Sequence, residues 1–382
     1  MRLALIRQRY NPYGGAERFA ARALEALREQ GMALTVFARE WDTGEGSRKG
    51  AAIEWTRCDP YYLGRLWRDA GFARAVCRAV AQRSFDLVQS HERIACCDIY
   101  RAGDGVHAQW LENRSRILGP LGRLGTAINP YHAYVLRAER RLFASPRLRA
   151  VICNSNMVAN EIRARFGVPE SRLHVIYNGV DLEAFHPRLR GQHRADMRRR
   201  LGIAESTVVF LMVGSGFERK GVPQLLGALA RLPDAQQRLV IVGEDRRSGA
   251  LRRRAAALGL GERALFAGPE QDPGPWYAMA DCFVLPTLYD PFPNAALEAM
   301  ACGLPVITST SCGAAEFVVE GRSGFVCDAL DVEALAAHMG RIEHASAQSM
   351  GEQARAAVSG MGLAAMAGRL LELYDSLLQR DT

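Results

Sequence analysis

Residues 207–232 read TVVFLMVGSGFERKGVPQLLGALARL. From Val208 to Val213 the run is wholly apolar, the pattern of a strand covered on both faces in a parallel sheet. Glycines at 214 and 216 end it, and the apolar spacing of VPQLLGALARL predicts a helix over 222–232. Arg219 and Lys220 stand between the two. Cations at a helix N-terminus oppose its dipole, so the placement costs stability unless an anion joins them. The stretch reads as strand, anion-receptive turn and helix, the opening unit of a doubly wound domain.

The same alternation runs along the whole chain. Strands are expected in the first half at LALI (3–6), LTVF (34–37), DLVQ (86–89), AVIC (150–153) and LHVI (173–176). In the second half they continue at RLVIV (238–242), ALFAG (264–268), DCFVL (281–285) and PVIT (305–308). Helical patterns lie between them, as in AERFAARALEALREQ (16–30). Apolar strands separated by helices imply buried parallel sheets with right-handed crossovers. The pattern restarts after FHPRLRGQHRADMRRRLGIAES (185–206), a polar, Arg-rich stretch that reads as a link between domains. The expected fold is α/β: two doubly wound Rossmann-like domains facing a cleft, over 1–187 and 188–362. A C-terminal helix over 363–382 is expected to pack back on the first domain. Ligands of such sheets bind beyond the carboxyl ends of the strands.

Composition narrows the function. Nine cysteines at uneven spacing, with no C-x-x-C pair, argue against a disulfide framework or zinc site and for a reducing compartment. MRLALIRQRY has only four apolar residues between its first charges, too few for a signal peptide, and no run approaches the roughly 18 apolar residues of a spanning helix. A cytoplasmic protein is expected. The net charge of +8 is concentrated: residues 101–149 hold nine basic against three acidic side chains, and 57–83 hold six against two. That asymmetry suits a solvated basic face, a nucleic acid or an anionic membrane. No nucleic-acid-binding motif is present.

Three further stretches bear on chemistry. In RQRYNPYGGAERF (7–19), Gly14 and Gly15 stand where a strand turns into a helix, so backbone N–H groups can approach an anion. A tight turn alone also explains a glycine pair. In DPFPNAALEAMACGLPVI (290–307), Asn294 is expected to cap a helix beginning at Ala295, which leaves Glu298 about one turn in. A carboxylate there suits the vicinal hydroxyls of a ribose, and Asp290 could do the same for a sugar beyond a diphosphate held by Arg219 and Lys220. The plainer alternative makes Glu298 a surface helix acid and Asp290 a turn former. The third stretch, GDGVH (103–107), ends a first-half strand and offers Asp104 and His107; His91, after another strand, is a further candidate. There is no P-loop, no dinucleotide fingerprint and no D-x-D metal pair. Diphosphate charge would then be neutralised by Lys, Arg and helix ends without a metal or cofactor.

D-x7-E followed by AMACGLPVI, with VIYNGVDLEAFHP (175–187), RKG (219–221) and NPYGGAER (11–18), resembles the retaining nucleotide-sugar glycosyltransferases of family 4, which have the GT-B fold. DIYRAGDGVHAQWLE (98–112) and VGSGFERKGV (213–222) bring it nearest the lipopolysaccharide core α-1,3-glucosyltransferases within that family. The resemblance implies UDP-glucose as donor and an inner-core heptose as acceptor. It implies that Gly15 touches the diphosphate, Lys220 and Arg219 bind it, Glu298 binds ribose and Asp290 contacts the donor hexose. Asp290 stands where the family carries Glu, and Phe19 where the glucosyltransferases carry an acid. Either Asp104 or His107 would contact the transferred sugar, while Glu139 is expected to be structural. The alternatives are a family 4 transferase with another donor or acceptor, and a UDP-sugar epimerase of the same fold. An acceptor anchored in the inner membrane implies work at its anionic cytoplasmic face. Trp67, Trp110, Leu118, Tyr131 and Tyr134, interleaved with arginines, are expected to form that docking surface.

Overall fold

Thirteen segments pair as parallel strands in two large sheets, beside a two-stranded pair of Arg9–Tyr10 with Glu40–Trp41, and the order of strands decides where ligands can bind. The computed structural model describes residues 1–10, 33–41, 54–233 and 236–379. Gly14, Gly15, Phe19 and the helix expected over 16–30 lie outside the described residues.

The first unit comprises Met1–Gly179 and Leu363–Thr382. Its strands are β1 (Arg2–Ile6), β2 (Ala33–Ala38), β3 (Glu54–Arg57), β4 (Leu87–Ser90), β5 (Ile99–Arg101), β6 (Ala150–Cys153) and β7 (Leu173–Val175). Its helices are α1 (Gly64–Ala81), α2 (His107–Ser115), α3 (Pro120–Ala127), α4 (Pro130–Phe143) and α5 (Asn156–Phe166). The sheet order is β3-β2-β1-β4-β5-β6-β7, all parallel. Successive side chains of a strand point to opposite faces. Val88 and Val151 therefore join Phe72 and Val76 of α1 and Ile162 of α5 on one face. Leu87 and Ile152 meet Leu370, Leu373 and Tyr374 of the C-terminal helix Leu363–Gln379 on the other.

The second unit, Val180–Gly362, opens with α6 (Arg188–Arg200). There follow β8 (Val208–Val213), α7 (Val222–Arg231), β9 (Gln237–Val242), α8 (Ser248–Ala257), β10 (Ala264–Gly268), α9 (Gly274–Met279) and β11 (Cys282–Leu285). Then come α10 (Asn294–Ala301), β12 (Val306–Ser309), β13 (Gly324–Cys327), α11 (Val332–Gly340) and α12 (His344–Val358); the C-terminal helix is α13. The sheet order, β10-β9-β8-β11-β12-β13, repeats the plan of the first unit. In each sheet the direction of strand order reverses once, between β1 and β4 and between β8 and β11. Those reversals are where doubly wound sheets open a crevice.

Three expectations need correcting. The arginine-rich stretch is not a link but helix α6, inside the second unit. Arg190, Arg194 and Arg198 recur every four residues and converge on Asp281, whose side chain is wholly buried, at 3.2, 2.8 and 2.6 Å. The unit boundary accordingly falls at Gly179/Val180 rather than after Pro187. The Val180 N–H donates to Met361 O at 2.9 Å, and Arg355 donates to the carbonyls of Leu182 and Phe185. Lastly, Cys77 of α1 and Cys96 after β4 form a disulfide, Cα atoms 5.8 Å apart, where no bridge was expected. Folding brings together two residues whose spacing along the chain carries no such signal. The other seven cysteines are free and buried.

Candidate active site

In the second unit the crevice at the β8/β11 reversal is built from the loop after β8 and the loop after β11. Backbone joins them, Leu288 N–H donating to Arg219 O at 2.7 Å, and the Asp290 N–H ties the second loop to the one after β12 by donating to Ser311 O at 3.1 Å. Gly221 makes the approach possible. Its φ is +78°, and a Cβ there would lie 2.0 Å from Pro286 O. Gly214 does the same for a side chain, since a Cβ would meet the Lys220 stem at 2.7 Å.

This brings Arg219, Lys220 and Asp290 into contact. Arg219 Nη1 donates to Asp290 Oδ2 at 2.9 Å and to Tyr289 O at 2.9 Å; Lys220 Nζ donates to the same Oδ2 at 3.2 Å. Burial acts to raise the Asp290 pKa, but Lys220 and Arg219 override it and hold the carboxyl below its ordinary value. The anion that the cation pair calls for is thus partly supplied from within. One carboxylate against two cations still leaves a net positive charge. Asp290 Oδ1 takes no hydrogen bond among the described residues, while Oδ2 takes both.

Glu298 lies on α10, and its Oε2 accepts from Tyr277 Oη at 2.9 Å. The same Tyr277 hydroxyl lies 3.2 Å from Ala295 O, so α9 fixes the carboxylate to the start of α10. Asn294 is not the cap. The helix begins at Asn294 itself, with Pro293 in the cap position at φ −73°, ψ 120°, because proline's fixed φ serves the extended residue before the first turn. Nothing in the sequence singled out Tyr277. Its signal is the strand-to-helix geometry around α9, visible only after folding.

The remaining candidates belong to the first unit. The Asp104 carboxylate is open to solvent, 4.0 Å from Arg93 Nη1. His107 opens α2, its Nε2 3.0 Å from His132 Nδ1. Burial, then Arg93 and His132, pull its pKa down to about 3, so the ring stays neutral and cannot act as a cationic acid near neutrality. His91 is held by Arg7 Nη1 at 3.3 Å and Gln89 Nε2 at 3.0 Å, its pKa pushed well down by burial. Glu139 braces the 103–107 loop: Oε1 accepts from Arg93 Nε at 2.9 Å and from the His107 N–H at 2.7 Å. Arg93 donates onward to Gly105 O at 3.0 Å. Among the described residues no group of three or more His, Cys, Asp or Glu is arranged to hold a metal ion.

Residues 13–184 match the family Glycosyltransferase Family 4, and residues 193–357 match Glycosyl transferases group 1. The lipopolysaccharide glucosyltransferase WaaG of Escherichia coli (strain K12) is 25% identical over 331 residues, 85% of each chain. The crystal structure of WaaG covers 97% of this chain and 99% of its own, with a TM-score of 0.83 and 22% identity. A D-inositol 3-phosphate glycosyltransferase of Kribbella flavida is 26% identical across 94% of this chain and 90% of its own. Anabaena HepE in complex with UDP-glucose has a TM-score of 0.73 and 22% identity, covering 98% of this chain and 100% of its own. With two doubly wound units and consecutive matches to both domains, the chain belongs to the GT-B glycosyltransferases of family 4 and group 1.

Proposed function

We propose that the chain is a retaining, metal-independent hexosyltransferase that moves glucose from UDP-glucose to a lipopolysaccharide core sugar, an inner-core heptose. It works as a peripheral protein at the anionic cytoplasmic face of the inner membrane. The observation that carries the donor reading is the Arg219–Lys220–Asp290 cluster, which keeps a net positive charge in the crevice where such sheets bind ligands. The similarity to WaaG supports glucose and the core acceptor, and the fold shared with HepE, solved with UDP-glucose, supports the uridine donor.

In this reading the diphosphate is held by Arg219 and Lys220, and Glu298 accepts from the ribose hydroxyls. Asp290 keeps Oδ2 on its cations and turns Oδ1 to a hydroxyl of the donor glucose. The acceptor oxygen attacks the anomeric carbon on the face the leaving group departs from. The bond from that carbon to the phosphate oxygen breaks, and the departing phosphate takes the acceptor's proton. No protein nucleophile is needed; the protein contributes orientation and stabilisation of the leaving charge.

The test is turnover of a panel of nucleotide sugars, with and without excess EDTA, on the intact chain and on Lys220→Ala. UDP-glucose is expected to be the best donor, unaffected by chelation, and to give an α-linked product. Losing a charge-assisted contact to the leaving group costs on the order of 2–4 kcal/mol, so Lys220→Ala should be roughly 30- to 1,000-fold slower. A β-linkage by NMR coupling, or activity that disappears with EDTA and returns with Mg²⁺, overturns the reading.

A further inference from the structure

The first unit has a cavity of its own, about 310 Å³, beyond the carboxyl ends of β1, β4 and β5. It lies at the β1/β4 reversal, and its walls include Arg7, Arg68, Asp69, Arg93, Asp104 and Tyr131. Ligand pockets span roughly 300–1,000 Å³, so this one suits a single substituted sugar rather than an oligosaccharide.

Its guanidinium groups are not equivalent. Arg93 is committed to Glu139 and to the Gly105 carbonyl. Arg7 spends Nε on Arg9 O and Nη1 on His91. Arg68 differs, because only its Nε is engaged, with Asp69 Oδ1 at 2.7 Å. Its two terminal nitrogens take no partner among the described residues, although three-quarters of the side chain is out of solvent. Asp69 cannot serve them further. Its Oδ1 also accepts from Gln8 Nε2 at 3.2 Å, and its Oδ2 accepts from Tyr131 Oη at 3.0 Å. Arg65 lies 4.4 Å over the Tyr131 ring and fixes that side chain in turn. The result is a wall that presents a pair of N–H donors with no partner among the described residues, the geometry a guanidinium uses to grip two oxygens of one oxyanion.

We propose that this cavity binds an acceptor sugar bearing an anionic substituent, a phosphate or a carboxylate, which the free fork of Arg68 grips. Asp104, exposed on the rim, is then left to accept from the sugar's hydroxyls. The proposal rests on the reading of the chain as a sugar transferase, whose acceptor it assigns to the first unit, and it adds the charge class of that acceptor.

Glucose, glucose 6-phosphate and glucuronate serve as probes for calorimetry on the full chain. The two anionic sugars should bind at least tenfold tighter than glucose at low salt, and the tighter of them identifies the oxyanion. Arg68→Gln should bring both down to the level of glucose, and Arg68→Lys should recover part of the loss as a point charge without the fork. UDP affinity and hydrolysis of the donor sugar should not change in either variant. Equal binding of all three probes, or no effect of Arg68→Gln on a variant with unchanged melting temperature, overturns the proposal. The donor reading fails separately: anionic sugars that bind through Arg68 while no nucleotide sugar is turned over would leave the cavity standing and remove the transferase.

Discussion

Asp290 has two demands on it, one from the fold and one from the substrate. It is nine-tenths buried and pairs with two cations, so Asp290→Asn strips the buried Lys220 of its counter-charge. Breaking a buried pair from one side costs on the order of 3–5 kcal/mol, because the remaining charge stays out of water. A bound diphosphate resupplies an anion at the same cations. Asp290→Asn should therefore melt below the wild-type protein, and saturating UDP should raise its melting temperature by more than it raises the wild type's. Equal UDP shifts in differential scanning fluorimetry would mean that the diphosphate does not reach this pair. The placement of Arg219 and Lys220 ahead of one helix and of Glu298 one turn into another was legible in the sequence, because both are local patterns. Tyr277 and Arg68 were not legible, since their meaning lies in partners on other elements, at a hydroxyl 21 residues from Glu298 and a carboxylate already filled by Gln8 and Tyr131.

At the scale of elements, α6 is the case where sequence and fold diverge most. RLRGQHRADMRRR has no apolar stripe, so it reads as linker; what anchors it is charge, three arginines at a helical spacing on one carboxylate. Asp281 also accepts from the Val209 N–H at 2.9 Å, which ties α6 to the first strand of its sheet. Burial would raise the Asp281 pKa, but Arg194 and Arg198 prevail and hold it below the ordinary value. The sign follows. The folded carboxyl binds its proton less readily than the unfolded one, whose pKa is about 3.9. Its contribution is complete above that value and is lost as pH falls through the lower folded pKa. Asp281→Asn should cost on the order of 3–5 kcal/mol at neutral pH, read as a lower urea midpoint. The gap between variant and wild type should narrow below about pH 4, where the unfolded carboxyl takes up its proton, and close as the folded one follows at lower pH. A gap that is constant with pH would show that packing, not charge, holds α6. The central strands were legible from their apolar runs. Missed were β3, whose EWTR faces solvent at the sheet edge, and the short β5 and β13, which carry too few residues for a period to show.

Across the whole molecule the two parallel sheets were legible, since apolar runs and their restart halfway along point to two doubly wound domains; the order of strands within each sheet came from the fold. The surface was less so. Tyr131 and Tyr134, expected among docking residues, line the first unit's cavity and are half-buried. In their place α3 exposes apolar side chains, with Leu121 at 85% and Leu124 at 58%, and Ile128 at its end at 71%. Tyr61, Leu63 and Trp67, around the start of α1, are also exposed. Arg114, Arg116 and Arg123 lie in the same α2–α3 segment, so apolar side chains and positive charge share one stretch of the first unit. The proposed docking on an anionic bilayer would use both: apolar side chains would enter the interface, while each basic residue would contribute about 1 kcal/mol near lipid phosphate. Replacing the three arginines by Gln should thus cost about 3 kcal/mol, roughly a hundredfold in partition onto anionic vesicles. Hydrolysis of the donor sugar should be untouched. Binding of the unaltered chain should weaken steeply with salt, because the Debye length falls from about 10 Å at 0.1 M to about 3 Å at 1 M. Changing Leu121 and Leu124 to Ser should weaken binding at every salt concentration, since apolar insertion is not screened. Cosedimentation that is equal for neutral and anionic vesicles, or unmoved by either set of substitutions, would leave this basic, apolar face without a membrane to dock on.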